Sequence, residues 1–188
     1  MPTAYRLRPI RSDDQAEMDT AVTLNNSAVP AVNQLSVGRL RELAGLAAYA
    51  EVVEDDAGTL TGLVLVLPAG AAYDSALYAW FGQRYTGFLY LDRIVVDPAH
   101  RRRGVGRLVY DTMEERARTA GRLLCEVNLD PPNPQSLAFH AARGFAEVGR
   151  CTLPFQRLDG SVGEKVCQML AKELGVERCA PGRGERAG

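Results

Sequence analysis

The hydrophobic positions of this chain follow two spacings, one that suits strands and one that suits helices. Alternating or continuous apolar runs, rich in β-branched and aromatic residues, predict strands at residues 5–10, 47–54, 59–67, 89–96, 123–128, 145–154 and 165–171. Apolar positions three or four residues apart predict helices at residues 13–24, 36–46, 75–84, 105–120 and 135–143. This order predicts an α/β (α+β) fold, in which a mixed central β-sheet is flanked by helices on both faces.

The composition is that of one ordinary globular domain. The chain has 188 residues, of which 46% are hydrophobic and 24% are charged. No internal repeat is visible, so we expect residues 1–174 to form a single domain. Residues 175–188 carry glycine and arginine without hydrophobic periodicity, and we expect them to form a disordered tail.

Net charge and cysteine spacing argue against several classes of function. The formal net charge is −1, which gives no overall attraction to nucleic acid or to an anionic membrane. No apolar run approaches the roughly 20 residues that a membrane helix needs, and the N-terminus lacks the apolar core of a signal peptide. The four cysteines have no Cys-x-x-Cys spacing, so we expect no metal site and a reducing, cytoplasmic setting.

Residues 89–107 join a strand, a basic turn and a helix. The strand ends at Asp97-Pro98, because proline cannot donate to a sheet. The turn at residues 101–107 reads Arg-Arg-Arg-Gly-Val-Gly-Arg. Its amides and the helix dipole favour an anion, although a solvated connection is the simpler alternative. The turn lacks the third glycine of a dinucleotide fingerprint and the Gly-Lys-Ser/Thr of a P-loop.

A second motif lies downstream, where residues 133–145 read Asn-Pro-Gln-Ser-Leu-Ala-Phe-His-Ala-Ala-Arg-Gly-Phe. Together with Arg-x-x-Gly-x-Gly at residues 101–106, this segment resembles the paired signatures of the GNAT superfamily of N-acetyltransferases. Asn133, Ser136, Gly144 and Phe145 stand at positions of the second signature. The order of elements also resembles the fold of that family, so the resemblance covers roughly residues 5–172.

The resemblance implies an enzyme that moves an acetyl group from acetyl-CoA to a primary amine, by direct attack of the amine on the thioester. The strand before the turn is expected to pair with pantetheine through its backbone, and the turn is expected to bind pyrophosphate. The implied cofactor-binding residues are Ile94, Val95, Val96, Arg101, Arg102, Arg103, Gly104, Val105, Gly106, Arg107, Asn133 and Ser136. No metal is implied.

The catalytic candidates are two acidic residues and one histidine. Asp92 and Glu126 are candidate bases, because an acidic side chain on an apolar strand needs a reason. An ion pair is the alternative for Asp92, and Glu51 is a weaker third candidate. At the position of His140 many family members have a tyrosine, which is often proposed to protonate the leaving thiolate. His140 is therefore a candidate acid, or it packs beside coenzyme A while water is the acid.

No motif names the acceptor, which we expect to be a small-molecule or peptide amine. Candidate contacts are Asn25 and Asn26, after the first helix, and Tyr78 and Trp80, in the long connection at residues 69–86. The alternatives are turn formation by the asparagines and plugging of the core by the aromatic residues. Dimers are frequent in the family, so a homodimer is a further expectation.

Two other classes of function are weighed against the enzyme. A domain that binds acyl-CoA as a sensor, without turnover, would carry the same motifs, and thiol release in the presence of an amine would separate the two. A nucleic-acid contact through the arginine turn conflicts with the net charge of −1. We therefore expect neither a nucleic-acid partner nor a membrane partner.

Overall fold

This computed structural model describes residues 3–130, 132–156 and 162–175. Its strands are β1 (Tyr5–Pro9), β2 (Tyr49–Asp55), β3 (Leu60–Pro68), β4 (Leu89–Val96), β5 (Arg122–Asp130), β6 (Ala146–Gln156) and β7 (Val162–Glu173). Its helices are α1 (Gln15–Asn26), α2 (Val37–Leu46), α3 (Ala76–Gly82), α4 (Val105–Ala117) and α5 (Pro134–Ala142). Every predicted strand and helix is present, with ends that differ by three residues or fewer.

The sequence also predicts a disordered tail at residues 175–188 and no apolar run long enough for a membrane helix. Of the predicted tail, residues 176–188 lie outside the described part of the chain. Among the described helices, none combines the length and the apolar character that crossing a membrane requires.

Four of the helices begin at a side chain that accepts a hydrogen bond from an amide of the first turn. These side chains are Asp14 for α1, Ser36 for α2, Ser75 for α3 and Asn133 for α5. Helix α4 differs, because it begins at Gly104, which offers no side-chain cap. The first amides of α4 are therefore left for another acceptor.

The strands form a seven-stranded sheet in the order β1-β2-β3-β4-β5-β7-β6. Neighbouring strands are antiparallel, except for β4 and β5, which are parallel. These two strands pair at only two positions, Leu89 with Leu123 and Tyr90 with Leu124. Both strands continue for six residues beyond that point without pairing with each other. The predicted mixed sheet is confirmed, and it opens in its middle.

Helices cover both faces of the sheet, as predicted. On one face, α1 and α2 pack through Met18 and Leu40 on strands β2 to β4, and α3 packs through Phe81 nearer to β5 and β7. On the other face, α4 packs through Val109 and Met113 against strands β2 to β5 and β7. The opening between β4 and β5 therefore runs from one helical layer to the other.

An ion-pair network fixes α1 to the first two strands. The guanidinium of Arg8 donates to both oxygens of Glu17, at 2.8 and 2.7 Å, and also to Glu54. The backbone amide and Nε of Arg11 donate to Glu17 at 2.8 and 2.7 Å. Burial raises the pKa of Glu17, but the hydrogen bonds from Arg8 and Arg11 outweigh burial and lower that pKa to about 2.

We predict that Glu17→Gln lowers the free energy of unfolding at pH 7 by about 3 kcal/mol, because it removes the buried anion to which Arg8 and Arg11 both donate and leaves Arg8 with Glu54 alone. Since the folded pKa of Glu17 lies below its usual 4.5, its contribution is present above pH 4.5 and is lost as the pH falls towards 2. Urea unfolding at pH 7 and pH 3 measures both effects. The control Glu115→Gln, which breaks an exposed pair with Arg118, should cost about 0.5 kcal/mol or less. Equal losses in the two variants would contradict the prediction.

Candidate active site

Two cavities meet in the opening between β4 and β5. The larger has a volume of about 720 Å³ and extends to the turn at residues 101–107, and the smaller has a volume of about 160 Å³ and lies on the α3 side. The residues that line both cavities are Ala31, Val32, Ile94, Tyr110, Asn128, Asn133, Ser136 and His140. We call the larger cavity the long cleft and the smaller one the small chamber. The eight shared residues form the neck that connects them.

The far end of the long cleft is formed by backbone amides. Arg102 has a φ of 57° and Gly104 has a φ of 94°, so the turn is left-handed at two positions and its amides converge. Arg101 and Leu108 donate their amides to Pro98 and Gly104, but within the described chain the six amides between them have no protein acceptor. This end of the cleft is suited to bind a polyphosphate.

The structure gathers most of the predicted cofactor-binding residues around this cleft. The predicted residues that line it are Ile94, Val95, Val96, Arg101, Arg102, Gly104, Val105, Gly106, Arg107, Asn133 and Ser136. Arg103 is exposed and does not line it. Asn133 also caps α5, since its Oδ1 accepts from the Ser136 amide at 3.2 Å.

A β-bulge places Asp92 in the small chamber. The pairing of β3 with β4 skips from Leu91 to Arg93, so Asp92 and Arg93 both project from the same face of the sheet. Tyr73 donates to one oxygen of Asp92 at 2.7 Å, and Arg93 donates to the other at 3.0 Å. Asp92 is therefore both neutralised by a buried arginine and occupied at both oxygens.

Glu126 lines the same chamber from β5 and receives a single side-chain hydrogen bond within the described chain, from Tyr90 at 2.8 Å. Burial and the nearby charge of Asp92 raise the pKa of Glu126 from its usual 4.5 to about 7, although Tyr90 and Lys165 lower it. Burial keeps the pKa of Tyr90 well above its usual value, so Tyr90 remains a donor. Glu126 is the carboxylate of the chamber that exchanges a proton near neutral pH.

His140 is hydrogen-bonded at both ring nitrogens in the neck between the cavities. Its Nδ1 lies 2.7 Å from the Ser136 carbonyl oxygen, which can only accept, so Nδ1 carries the proton. Its Nε2 lies 2.6 Å from the Tyr110 hydroxyl and accepts from it. Burial lowers the pKa of His140, which favours this neutral state. The proton that borders the neck therefore belongs to Tyr110.

The model of the acetyltransferase (GNAT) family matches residues 25–145, a span that contains the turn, both splayed strands and α5. The chain belongs to the GNAT family. The predicted family, and with it the predicted class of acyltransferase, is confirmed.

Relatives of this GNAT protein include two amino-acid acyltransferases. The L-methionine sulfoximine/L-methionine sulfone acetyltransferase of Salmonella typhimurium is 27% identical over 136 residues, which cover 70% of this chain and 69% of the relative. The L-amino acid N-acyltransferase MnaT of Escherichia coli is 27% identical over 136 residues, with the same coverage of 70% and 69%.

A solved structure shows the same fold. It is a GNAT superfamily phosphinothricin acetyltransferase from Sinorhizobium meliloti, determined in complex with acetyl-CoA. It matches with a TM-score of 0.63 at 16% identity, over 98% of this chain and 95% of the other.

The two asparagines predicted as acceptor contacts hold the loop after α1 in this GNAT chain. Asn25 is fully buried, accepts from Arg93 at 2.8 Å and donates to the Asn33 carbonyl at 3.1 Å. Asn26 exchanges two hydrogen bonds with the backbone of Leu35. Neither amide lines the chamber, so the structure gives both asparagines the turn-forming role that was their alternative.

The two aromatic residues predicted as acceptor contacts also lie outside the chamber. Tyr78 is buried and hydrogen-bonds to the Pro68 carbonyl at 2.6 Å and to the Ala71 amide at 2.8 Å. Trp80 packs against Gly149 of β6. The connection at residues 69–86 therefore plugs the core at these positions, and it contributes Tyr73 to the chamber instead.

Several lining residues were missed by sequence reasoning. Tyr110 belongs to the apolar face of α4 and could not be told from a core residue, and Tyr73 lies in an irregular segment. Asn128 could have been found, because it lies two residues after Glu126 and therefore projects from the same face of β5. Among the described residues, no cluster of His, Cys, Asp and Glu is arranged to hold a metal.

We predict that Gly106→Leu raises the Kd for acetyl-CoA at least tenfold, because the side chain fills the space beside the turn's amides. A Cβ added at Gly106 meets only the Phe139 ring, at 3.8 Å, so the fold should tolerate the change. Calorimetric titration measures the Kd, and thermal unfolding checks the fold. The matched control is Gly45→Leu on α2, where a Cβ meets nothing within 4 Å. An unchanged Kd in Gly106→Leu would refute the assignment of the turn to pyrophosphate.

Proposed function

We propose that this GNAT enzyme is an acetyl-CoA-dependent N-acetyltransferase whose acceptor is a small amine of the amino-acid class. The observation that carries the proposal is the junction of two cavities between β4 and β5. One ends in amides that have no acceptor among the described residues, and the other contains a carboxylate whose pKa is raised to about 7. The names of two relatives, which act on L-amino acids or methionine derivatives, support the acceptor class.

The long cleft fits coenzyme A in size and in chemistry. Its volume of about 720 Å³ is that of a pocket for a large cofactor. The amides of residues 102–107 would hold the pyrophosphate, with Arg101 and Arg107 near its oxygens. Within the described part of the chain, residues 91–96 of β4 have no strand partner on the β5 side, so their backbone can pair with the amides of pantetheine. When bound, acetyl-CoA supplies an acetyl thioester, whose C–S bond breaks as the C–N bond to the amine forms.

Glu126 is the general base of the proposed reaction. The acceptor's ammonium must lose a proton before its nitrogen can attack the thioester, and a carboxylate of ordinary pKa holds that proton weakly. A pKa of about 7 narrows the gap between Glu126 and the amine, which favours proton transfer at neutral pH. Glu126 releases that first proton to solvent. After the C–N bond forms, the positively charged nitrogen loses a second proton by the same route as the C–S bond breaks, which leaves the neutral amide with one N–H.

Asp92 has a positioning role in this proposal. Each of its oxygens already accepts a hydrogen bond, one from Tyr73 and one from Arg93, whereas Glu126 accepts a single side-chain hydrogen bond among the described residues. Its charge contributes to the raised pKa of Glu126. Through Arg93 it also joins β4 to the loop after α1, because Arg93 donates to Asn25 and to the Asn33 carbonyl.

Tyr110 and His140 act together on the leaving thiolate. The Tyr110 hydroxyl borders both cavities, and His140, fixed by Ser136, holds it in place. Burial raises the pKa of Tyr110 well above its usual value, so the phenol keeps its proton. That single hydrogen, which is donated to His140 Nε2 in the free enzyme, turns to the sulfur as negative charge develops there, and the departing thiolate takes its proton from solvent. The sequence prediction of His140 as an acid thus becomes a proposal about the pair.

A small acceptor agrees with the size of the chamber. Its volume of about 160 Å³ lies well below the roughly 300–1,000 Å³ of pockets that hold drug-sized ligands.

In the described chain Cys125, Cys151 and Cys167 are free thiols, which supports the proposed cytoplasmic location.

Thiol release from acetyl-CoA tests the proposed function directly. Purified enzyme is given L-amino acids, their carboxamides, diamines and a peptide amino terminus, each in a separate assay. We expect release with L-amino acids and formation of the N-acetyl product by mass spectrometry. Binding of acetyl-CoA without thiol release from any acceptor would contradict an enzymatic function.

We predict that Glu126→Gln lowers kcat/KM about 10²- to 10³-fold, because the base is lost. The wild-type kcat/KM should rise with pH through about 7, since Glu126 must be deprotonated to act. The variant should lose that step and keep the later rise that comes from the amine. The Kd for acetyl-CoA should not change. Glu147→Gln, on the exposed side of β6, is the control, and a variant that keeps the step near pH 7 would show that another group is the base.

We predict that Tyr110→Phe lowers kcat about 10- to 100-fold, because a donor to the leaving sulfur is removed. Ring packing against Phe139 and Phe145 is retained, so acetyl-CoA affinity should be unchanged. The defect should shrink with an acetyl thioester of a more acidic thiol, which needs less stabilisation. Tyr49→Phe, a half-buried tyrosine that does not line either cavity, is the control. A wild-type kcat in Tyr110→Phe would rule out this role.

A further inference from the structure

Lys165 lies near the start of β7 and lines the small chamber. Met169 stands directly opposite Glu126 in the pairing of β5 with β7, and Cys167 stands opposite Asn128. Because side chains alternate along a strand, residues 165, 167 and 169 project from the same face as Glu126. The ammonium of Lys165 and the carboxylate of Glu126 therefore enter the chamber from the same side of the sheet.

The two groups act on each other through the chamber. The charge of Lys165 lowers the pKa of Glu126, against the larger effect of burial. No direct ion pair joins them, and Lys165 makes no hydrogen bond to any side chain in the described part of the molecule. The space between the two charges is available to a ligand.

Lys165 is a cationic side chain of the chamber lining that has no ion-pair partner among the described residues. Arg93, the other charged base that lines the chamber, is bound to Asp92, Asn25 and the Asn33 carbonyl. Lys172, the second lysine of β7, forms an ion pair with Glu114 at 2.7 Å on the other face of the sheet. An ammonium that lines the chamber without an ion-pair partner among the described residues can bind an anionic group of a ligand.

The chamber therefore contains a base that can accept a proton from an amine, Glu126, and a separate cation that can bind an anionic group, Lys165. A free amino acid carries both complementary groups on one small molecule. A diamine would bring a second positive charge towards Lys165, and a peptide amino terminus has an amide where the amino acid has a carboxylate. The arrangement of charges discriminates among these amines.

We propose that Lys165 binds the carboxylate of the acceptor, so that this enzyme acetylates free amino acids in preference to amines without a carboxylate. The proposal rests on the proposed N-acetyltransferase function and names the group that selects its acceptor. Lys165 makes a charge-assisted hydrogen bond to one end of the acceptor while Glu126 takes a proton from the other end. It contributes to binding and orientation, and no bond to it forms or breaks.

The test compares L-methionine sulfone with its α-carboxamide, which keeps the amine and the side chain and removes the negative charge. Wild type should show a kcat/KM at least tenfold higher for the acid. Lys165→Met should lose about 10- to 100-fold in kcat/KM for the acid, mainly through KM, and change less than threefold for the carboxamide. Lys165→Arg should keep most of the preference, because it restores the cation.

Lys172→Met is the matched control, since it removes a positive charge from the same strand outside the chamber. It should leave the ratio of acid to carboxamide unchanged. If Lys165→Met kept the wild-type ratio, or if wild type preferred the carboxamide or a diamine, the role of Lys165 would be overturned while acetyl transfer stood. If wild type released no thiol with any amine, the proposed function itself would fail.

Discussion

The molecule depends on an interruption in its own sheet. Pairing between β4 and β5 stops after Tyr90 and Leu124, although both strands continue. Backbone groups that are buried without a partner are costly, so a gap of this length is stable only where water or a ligand can satisfy them. An extended ligand with its own amides fits this gap. The gap also brings the two helical layers into communication, and every group of the candidate active site lies along it.

Within the chamber, burial and the neighbouring charges together give Glu126 a pKa close to neutral pH. Burial raises the pKa of Glu126 most, and the nearby charge of Asp92 raises it further. Arg93 offsets that charge, while Tyr90 stabilises ionised Glu126. The result is a carboxylate whose pKa is raised to about 7, high enough to accept a proton from an amine and low enough to be ionised near neutral pH.

The residues predicted for the donor side line one cleft because the sequence information that places them is local. The turn at residues 101–107 and the cap at Asn133 are set by neighbours in the chain, so a short motif describes them. The chamber is different. The pair of Tyr110 and His140 joins residues 30 positions apart, and the bulge at Asp92 depends on its pairing with β3. Neither leaves a periodic signal, and the asparagines and aromatic residues predicted as acceptor contacts do not line the chamber.

Because Lys165 and Glu126 are separate groups of one chamber, the carboxylate of the acceptor can influence the deprotonation of its own amine. Lys165 lowers the pKa of Glu126. An acceptor carboxylate bound to Lys165 offsets that effect, so Glu126 keeps the higher affinity for a proton that burial gives it. A ligand without a carboxylate leaves the lysine's charge uncompensated and meets a weaker base. Selection of the acceptor and activation of its amine would then follow from one electrostatic contact.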